Sequence, residues 1–234
     1  MINVNDIIAE VVKLKDQATI RKTRNLYTEA IEIFQDAINK INDILLSHGD
    51  AFTNEEKEKL KDELADCHGQ IGGVYRRWAF SETDAAEKKQ KFKLSYEAYD
   101  KGYEFEKEST KLTTYNLLNR LTSRIFYNPE WMNSHSPESP EKEFLHKELP
   151  LAQEKILEQM KKGREDIWGW ADVGQISLLL NSVTPKASFE KFLKKVRNNK
   201  DYRSLVDLLK PLADLPIDAK DNINTVIDFL EKNV

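Results

Sequence analysis

Cys67-His68 places a thiol next to an imidazole, the residue types of a thiolate nucleophile and its base. Consecutive residues on a helix point about 100° apart, so the two side chains diverge. With no oxyanion hole or orienting third group in the sequence, Cys67 reads as a small packing residue. Glu143-Phe-Leu-His146 has the i, i+3 spacing of helical di-iron sites. Such sites need a second Glu-x-x-His pair and two further carboxylates, which the sequence lacks. His48, His68, His135 and His146 are scattered, and no His-Glu-x-x-His or Gly-x4-Gly-Lys-Ser/Thr motif is present. No cofactor and no catalytic residue is therefore expected. Arg76-Arg77 with Lys88 to Lys93, and Lys194-Lys195 with Arg197, are basic clusters that could touch RNA or phosphate. Acidic residues flank both, as on solvated helix faces, so nucleic-acid binding is the weaker alternative. Trp168 and Trp170, two positions apart, cannot share a helix face. One is expected in the core and the other exposed or at an interface, where a tryptophan makes a good anchor.

The chain of 234 residues carries a net charge of -4, which gives no general nucleic-acid footprint. Hydrophobic residues make up 40% and charged residues 32%, the balance of a helix-rich globular chain. Cys67 is the one cysteine, so an intrachain disulfide and a cysteine-rich zinc site are excluded. Neither a signal-like start nor an apolar run of the ~20 residues needed to span a bilayer is present, so a cytoplasmic location without a membrane partner is expected.

Apolar residues recur at three- and four-residue steps almost throughout. One stripe covers Val4 to Leu14. A second runs from after Lys22 to about Leu46, with Ser47-His48-Gly49-Asp50 as its stop and Gly49 as a left-handed cap. Thr53-Asn54-Glu55-Glu56 is a start signal for a helix to about Trp78. Ser81 to Asp84 connects to a partner helix ending near Glu106, and Leu112 to Phe126 follows. The stretch 127–140, with Pro129, Pro137 and Pro140, predicts an irregular surface loop. Glu141 to Lys162 is helical, with Pro150 as a kink or first-turn proline. An apolar helix then starts near Asp166, Thr184-Pro185 opens another, and a last pair is split by Leu215-Pro216. The expectation is all-α: about ten helices in antiparallel pairs, in a single domain over 1–234.

The small and aromatic residues fall in a pattern that resembles tetratricopeptide repeats (TPR). Ile71-Gly72 and Tyr75 match the family's first-helix pattern. Ala30, Phe34 and Ala37 match its second-helix pattern, and Ser95, Tyr99 and Gly102 match it with small-for-small exchanges. Trp170, Val173 and Gly174 match the first helix again. The resemblance covers Leu26 to Leu212. Asn119 departs from it by standing where a small residue belongs. The intervals from Gly72 to Asn119 and from Asn119 to Gly174 are unequal and longer than the ~34-residue period. Tyr99-Asp-Lys-Gly-Tyr103-Glu, Tyr115-Asn-Leu-Leu-Asn-Arg-Leu121 and Trp168-Gly-Trp-Ala-Asp-Val-Gly174 are also similar to repeat proteins related to the TRAF-binding region of stress-activated MAP kinase kinase kinases. Bacterial relatives of that group accompany signalling or defence effectors.

The resemblance implies a right-handed array of helical hairpins, an α-solenoid, since one hairpin cannot bury its own apolar face. It implies a scaffold or adaptor that binds a protein or peptide and catalyses nothing. If Gly72, Asn119 and Gly174 are equivalent, a groove lined by Arg76, Asn116, Arg120 and Gln175 is expected, with donors suited to peptide backbone and carboxylates. The competing expectation puts Asn116 or Asn119 between helices inside the core and leaves the arginines in solvent. A subunit sensing nucleotide or nucleic acid is the alternative from another class, and a helical metalloenzyme the third. The last helix, with Val226, Ile227, Phe229 and Leu230, is expected to cap the array or to dock on a second copy.

Overall fold

The computed structural model describes residues 3–109, 113–163, 167–180, 185–196 and 199–233. Among the described residues the regular structure is entirely helical, with ten α-helices. The chain divides into two compact units, Met1–Tyr127 and Asn128–Val234.

The first unit holds α1 (Val4–Thr23), α2 (Tyr27–His48), α3 (Asn54–Ser81), α4 (Ala85–Glu106) and α5 (Tyr115–Tyr127). Each helix packs on its neighbour in sequence, and α3 also touches α1 and α5. That is the contact order of consecutive antiparallel hairpins, with the odd-numbered helices side by side. Val4, Ile7 and Val11 of α1, Phe34, Ile38 and Ile41 of α2, and Leu60, Leu64 and Val74 of α3 form a shared core. Burying each large side chain contributes ~1.5–3 kcal/mol.

Local signals set the helix ends. Thr53 caps α3, and Glu56 bonds back to the Thr53 backbone to complete a capping box. Asp84 caps α4 through the backbone N–H of Glu87 at 2.9 Å. Two boundaries differ from the sequence expectation. α1 runs on past Leu14 to Thr23, because Lys15 and Lys22 find partners on α3 that a local pattern cannot show. Gly49 is right-handed (φ -55°), and a 3-10 turn, Gly49–Ala51, continues from it. The left-handed residue is instead Asn25, at φ 60°, between α1 and α2.

Close packing within this unit depends on missing side chains. A methyl at Gly72 would lie 2.6 Å from the ring of Tyr99, a fully buried residue of α4. Ser95 Oγ donates to Gly72 O at 2.8 Å and pairs with Ser123 Oγ of α5 at 3.0 Å. These contacts tie α3, α4 and α5 together.

The second unit holds α6 (Pro140–Lys161), α7 (Ile167–Leu179), α8 (Pro185–Lys195), α9 (Asn199–Ala213) and α10 (Lys220–Glu231). The proline-rich stretch includes a 3-10 turn, Pro129–Met132, with Met132 buried. Its end is pinned by Lys142, whose Nζ donates to Ser136 O and Glu138 Oε1, each at 2.9 Å. Pro140 is in the first turn of α6, and Pro150 lies inside the same helix. Pro185 begins α8, while Thr184 lies outside the described residues. Gly174 of α7 repeats the device of Gly72: a methyl there would come within 2.6 Å of Phe189, a fully buried residue of α8.

Candidate functional site

The side-by-side helices α1, α3 and α5 present a run of polar side chains, several of which bond from one helix to the next. Lys15 Nζ donates to Glu63 Oε2 at 2.6 Å and to Asp66 Oδ2 at 2.7 Å. Burial opposes the Lys15 charge, but the hydrogen bonds to Asp66 and Glu63 outweigh it and raise the pKa. One turn further, Gln70 Nε2 donates to Asp66 Oδ1 at 3.4 Å, and Lys22 Nζ donates to Gln70 Oε1 at 2.9 Å. Across the other seam, Arg76 Nη1 donates to Asn119 Oδ1, and Asn119 Nδ2 to Tyr115 O at 2.7 Å. The Arg76 guanidinium stands 5.7 Å from the centre of the Tyr99 ring.

Charge is uneven along this run. Glu63 and Asp66 are matched by Lys15, but toward the end of α3 Lys22, Arg76 and Arg77 gather. Burial, and then the Arg77 and Arg76 guanidinium groups, hold the Lys22 pKa below its ordinary value, with Asp66 acting in the opposite sense. Arg77 is exposed.

Of the four residues expected to line a groove, three belong to the first unit and Gln175 to the second, on α7, where it is buried. Asn116 is 2% exposed. Its amide sits where side chains at Gly69 and Gly102 would otherwise be, and its Nδ2 donates to Ala65 O at 3.1 Å. It joins α3, α4 and α5 from within. Arg120 is also buried, paired with Asp100 Oδ1 at 3.0 Å and lying 4.0 Å from the centre of the Tyr103 ring. Arg76 keeps a partly exposed side chain on the α1–α3–α5 face. The side chains that join Arg76 there are Lys22, Gln70, Tyr115 and Asn119, with Gly73 among them. A run of polar residues one turn apart on α3 was the available signal, but their partners lie 43 to 51 positions away.

The Cys67 thiol is fully buried, and burial pushes its pKa up to about 12, so it is not a reactive thiolate. His68 stacks on Phe105 with ring centres 5.9 Å apart, and burial, then the charge of Lys101, pushes its pKa down to about 4. Glu143 and His146 are both exposed on α6, and among the described residues no group of three or more potential metal ligands gathers. Lys91 lies 4.2 Å from the centre of the Trp78 ring and Lys89 5.1 Å from that of Tyr127. Lys194 and Lys195 are exposed, and Arg197 lies outside the described residues. The expected split between Trp168 and Trp170 does not occur: both are half-buried, because Trp168 leans on Phe192 and Lys191 covers Trp170. No helix among the described residues is long and apolar enough to cross a membrane.

His68 makes stability depend on pH. Its folded pKa, about 4, lies below the ordinary 6.5, so the unfolded chain takes up the proton first as pH falls. The stability it supports is complete above pH 6.5 and lost between there and about pH 4. Allowing for partial exposure, the loss is on the order of 2 kcal/mol. Urea melts at pH 7 and at pH 4.5 should therefore converge more closely for His68→Phe than for wild type. Equal losses in both would show that His68 does not carry the effect.

Comparisons with known proteins add nothing to this geometry. No family model, curated protein or solved structure matches the chain.

Proposed function

We propose that the chain is a non-catalytic scaffold or adaptor of TPR-like helical hairpins that binds a protein or peptide on the α1–α3–α5 face of its first unit. The observation that carries this reading is the run of interhelical bonds on that face. Lys15, Lys22 and Arg76 are already held by partners on neighbouring helices. A partner would meet donors fixed before it arrives, so less ordering entropy opposes binding. The antiparallel contact order and the repeated Gly–aromatic fit at Gly72–Tyr99 and Gly174–Phe189 are what a hairpin array needs. They support the solenoid reading of each unit. The resemblance to bacterial relatives of kinase-kinase-kinase repeat regions makes a regulatory module in signalling or defence the fitting context.

Binding would be governed by the cationic end of the face. Arg77→Glu combined with Lys22→Gln changes charge there while leaving the Lys15 pairs and the core untouched. Captured from the source cell, the wild type should retain a protein partner that the double variant loses, with melting temperatures within a few degrees. Retention of the same partner by both proteins would place binding elsewhere. Recovery of RNA in place of protein would favour the nucleic-acid alternative.

A further inference from the structure

We infer that the protein bound on the α1–α3–α5 face is phosphorylated, and that Lys22, Arg76 and Arg77 receive its phosphoryl group. This rests on the peptide-binding reading of the same face and names the chemistry of the partner.

The three cations come from two helices, Lys22 from the last turn of α1 and the arginines from the C-terminal half of α3. Elsewhere in this unit cations meet carboxylates: Lys15 on Glu63 and Asp66, Arg21 on Glu29 at 3.3 Å, Lys61 on Glu108 and Arg120 on Asp100, both at 3.0 Å. Toward the end of α3 the partners are neutral instead. Lys22 Nζ donates to the amide oxygen of Gln70, and Arg76 to that of Asn119. Asp66 does act on Lys22, but it is engaged by Lys15 and Gln70. Among the described residues none of the three cations has a carboxylate partner.

That arrangement has a cost. Lys22 and Arg76 are half-buried, and burial, followed by the Arg77 and Arg76 charges, opposes the charge on Lys22. Gln70 and Asn119 nevertheless hold two of the cations in place. A neutral anchor fixes where a cation points without cancelling its charge, so an incoming anion finds donors already ordered.

Donor number and extent set the class of anion. Lys22 uses one ammonium hydrogen on Gln70, Arg76 uses one guanidinium nitrogen on Asn119, and Arg77 is exposed. A phosphate monoester brings a charge of about -1.5 to -2 and three acceptor oxygens at neutral pH. It answers three cations, where a carboxylate offers one charge and two oxygens. The cationic stretch is also short. From Gln70 to Arg77 the helix rises ~10 Å, and Gly73 between them adds no side chain on that side. Before Gln70 the same face turns acidic, with Asp66 and Glu63 matched by Lys15. One phosphoryl group on a peptide fits that extent. The acidic stretch interrupts the continuous positive track that a nucleic-acid backbone needs.

The full-length chain with 15N-labelled backbone and 13C-labelled lysine would be titrated by NMR with acetyl-Ala-Ala-Ser-Ala-Ala-amide, its phosphoseryl form, its glutamyl counterpart, inorganic phosphate and a short single-stranded RNA. The phosphoseryl peptide should shift the Gly73 and Arg77 amides and the Lys22 Cε signal saturably. It should bind at least tenfold more tightly than the seryl peptide and several-fold more tightly than the glutamyl one. The bound dianion should raise the Lys22 pKa, because it favours the ammonium form. Arg77→Gln should weaken binding about tenfold, and Arg77→Gln with Lys22→Gln should abolish it, with melting temperatures within a few degrees of wild type. Lys101→Gln, an equal loss of charge on an exposed position of α4, should leave it unchanged. Equal response to the phosphoseryl and seryl peptides, no saturable response, tighter binding of the RNA, or inorganic phosphate binding as tightly as the phosphopeptide (an adventitious ion only) would overturn the inference. From an untreated extract of the source cell the wild type should capture its protein partner, and from a phosphatase-treated extract it should not. If the partner survives phosphatase and Arg77→Glu with Lys22→Gln still loses it, the phosphate inference fails and the scaffold reading stands. If the untreated extract yields no partner at all, the scaffold reading itself fails.

Discussion

Gly72→Ala should lower the melting temperature sharply, while Gly73→Ala, one residue on, should raise it. Both glycines are in the middle of α3, where alanine is the better helix former by ~1 kcal/mol. The difference lies in what a methyl would meet. At Gly72 it would come within 2.6 to 2.8 Å of three atoms of the Tyr99 ring, which is fully buried and has nowhere to go. Overpacking of that kind costs ~1–3 kcal/mol and here also strains the serine link between Gly72 O and Ser95. A net loss of ~2 kcal/mol, or ~8 °C for a unit of this size, is expected after the propensity gain. At Gly73 the nearest atoms, two hydroxyl oxygens, stand at 3.4 and 3.7 Å, which is ordinary contact. There the propensity gain survives, at ~0.5–1 kcal/mol. Thermal denaturation followed by circular dichroism measures both. Equal destabilisation by the two alanines would mean that α3 does not approach Tyr99 as closely as described.

Removing the Glu106 carboxylate should be at least as damaging. Glu106 ends α4 and is 3% exposed. Its two oxygens accept from the backbone N–H groups of Asn116, at 2.7 Å, and Leu117, at 3.2 Å, in the first turn of α5. A negative charge there satisfies donors that the helix itself cannot and opposes the positive end of the α5 dipole. Glu106→Ala leaves two buried N–H groups without these acceptors, at ~3 kcal/mol in total. Glu106→Gln keeps one acceptor oxygen and should lose about half as much. Hydrogen exchange should localise the damage, with the Asn116 and Leu117 amides exchanging many times faster in Glu106→Ala. Unchanged protection at those two amides would show that α5 is capped by other groups. The same variant bears on the proposed binding face, because Tyr115 and Asn119 stand at that end of α5.

The helices were legible from periodicity and caps because these are local. Thr53 with Glu56 and Asp84 with Glu87 each declare a helix start within four residues. The end of α1 was not, because Lys15 and Lys22 read as solvent residues until α3 supplies their partners. Small residues gave the packing its clearest signal: Gly72 and Gly174 each receive an aromatic ring, as the spacing suggested for a hairpin. The site was only partly readable. Arg76 is on the proposed face, but Asn116 and Arg120 turn inward, Asn116 onto Gly69 and Gly102 and Arg120 onto Asp100 and Tyr103. A helix position tells which residues share a side. It does not tell which of two flanking helices that side will meet, and here α4 covers what the sequence alone left open.

The proposed binding face can be tested by light-induced crosslinking in the source cell. Benzoylphenylalanine placed at Gln70 would sit among Lys22, Asp66 and Gly73, and the same residue at Glu97 would sit on α4, away from that face. A protein crosslinked from position 70 and absent from position 97 is the predicted result. A partner captured equally well from both positions, or from 97 alone, would contradict the assignment of the α1–α3–α5 face as the binding surface.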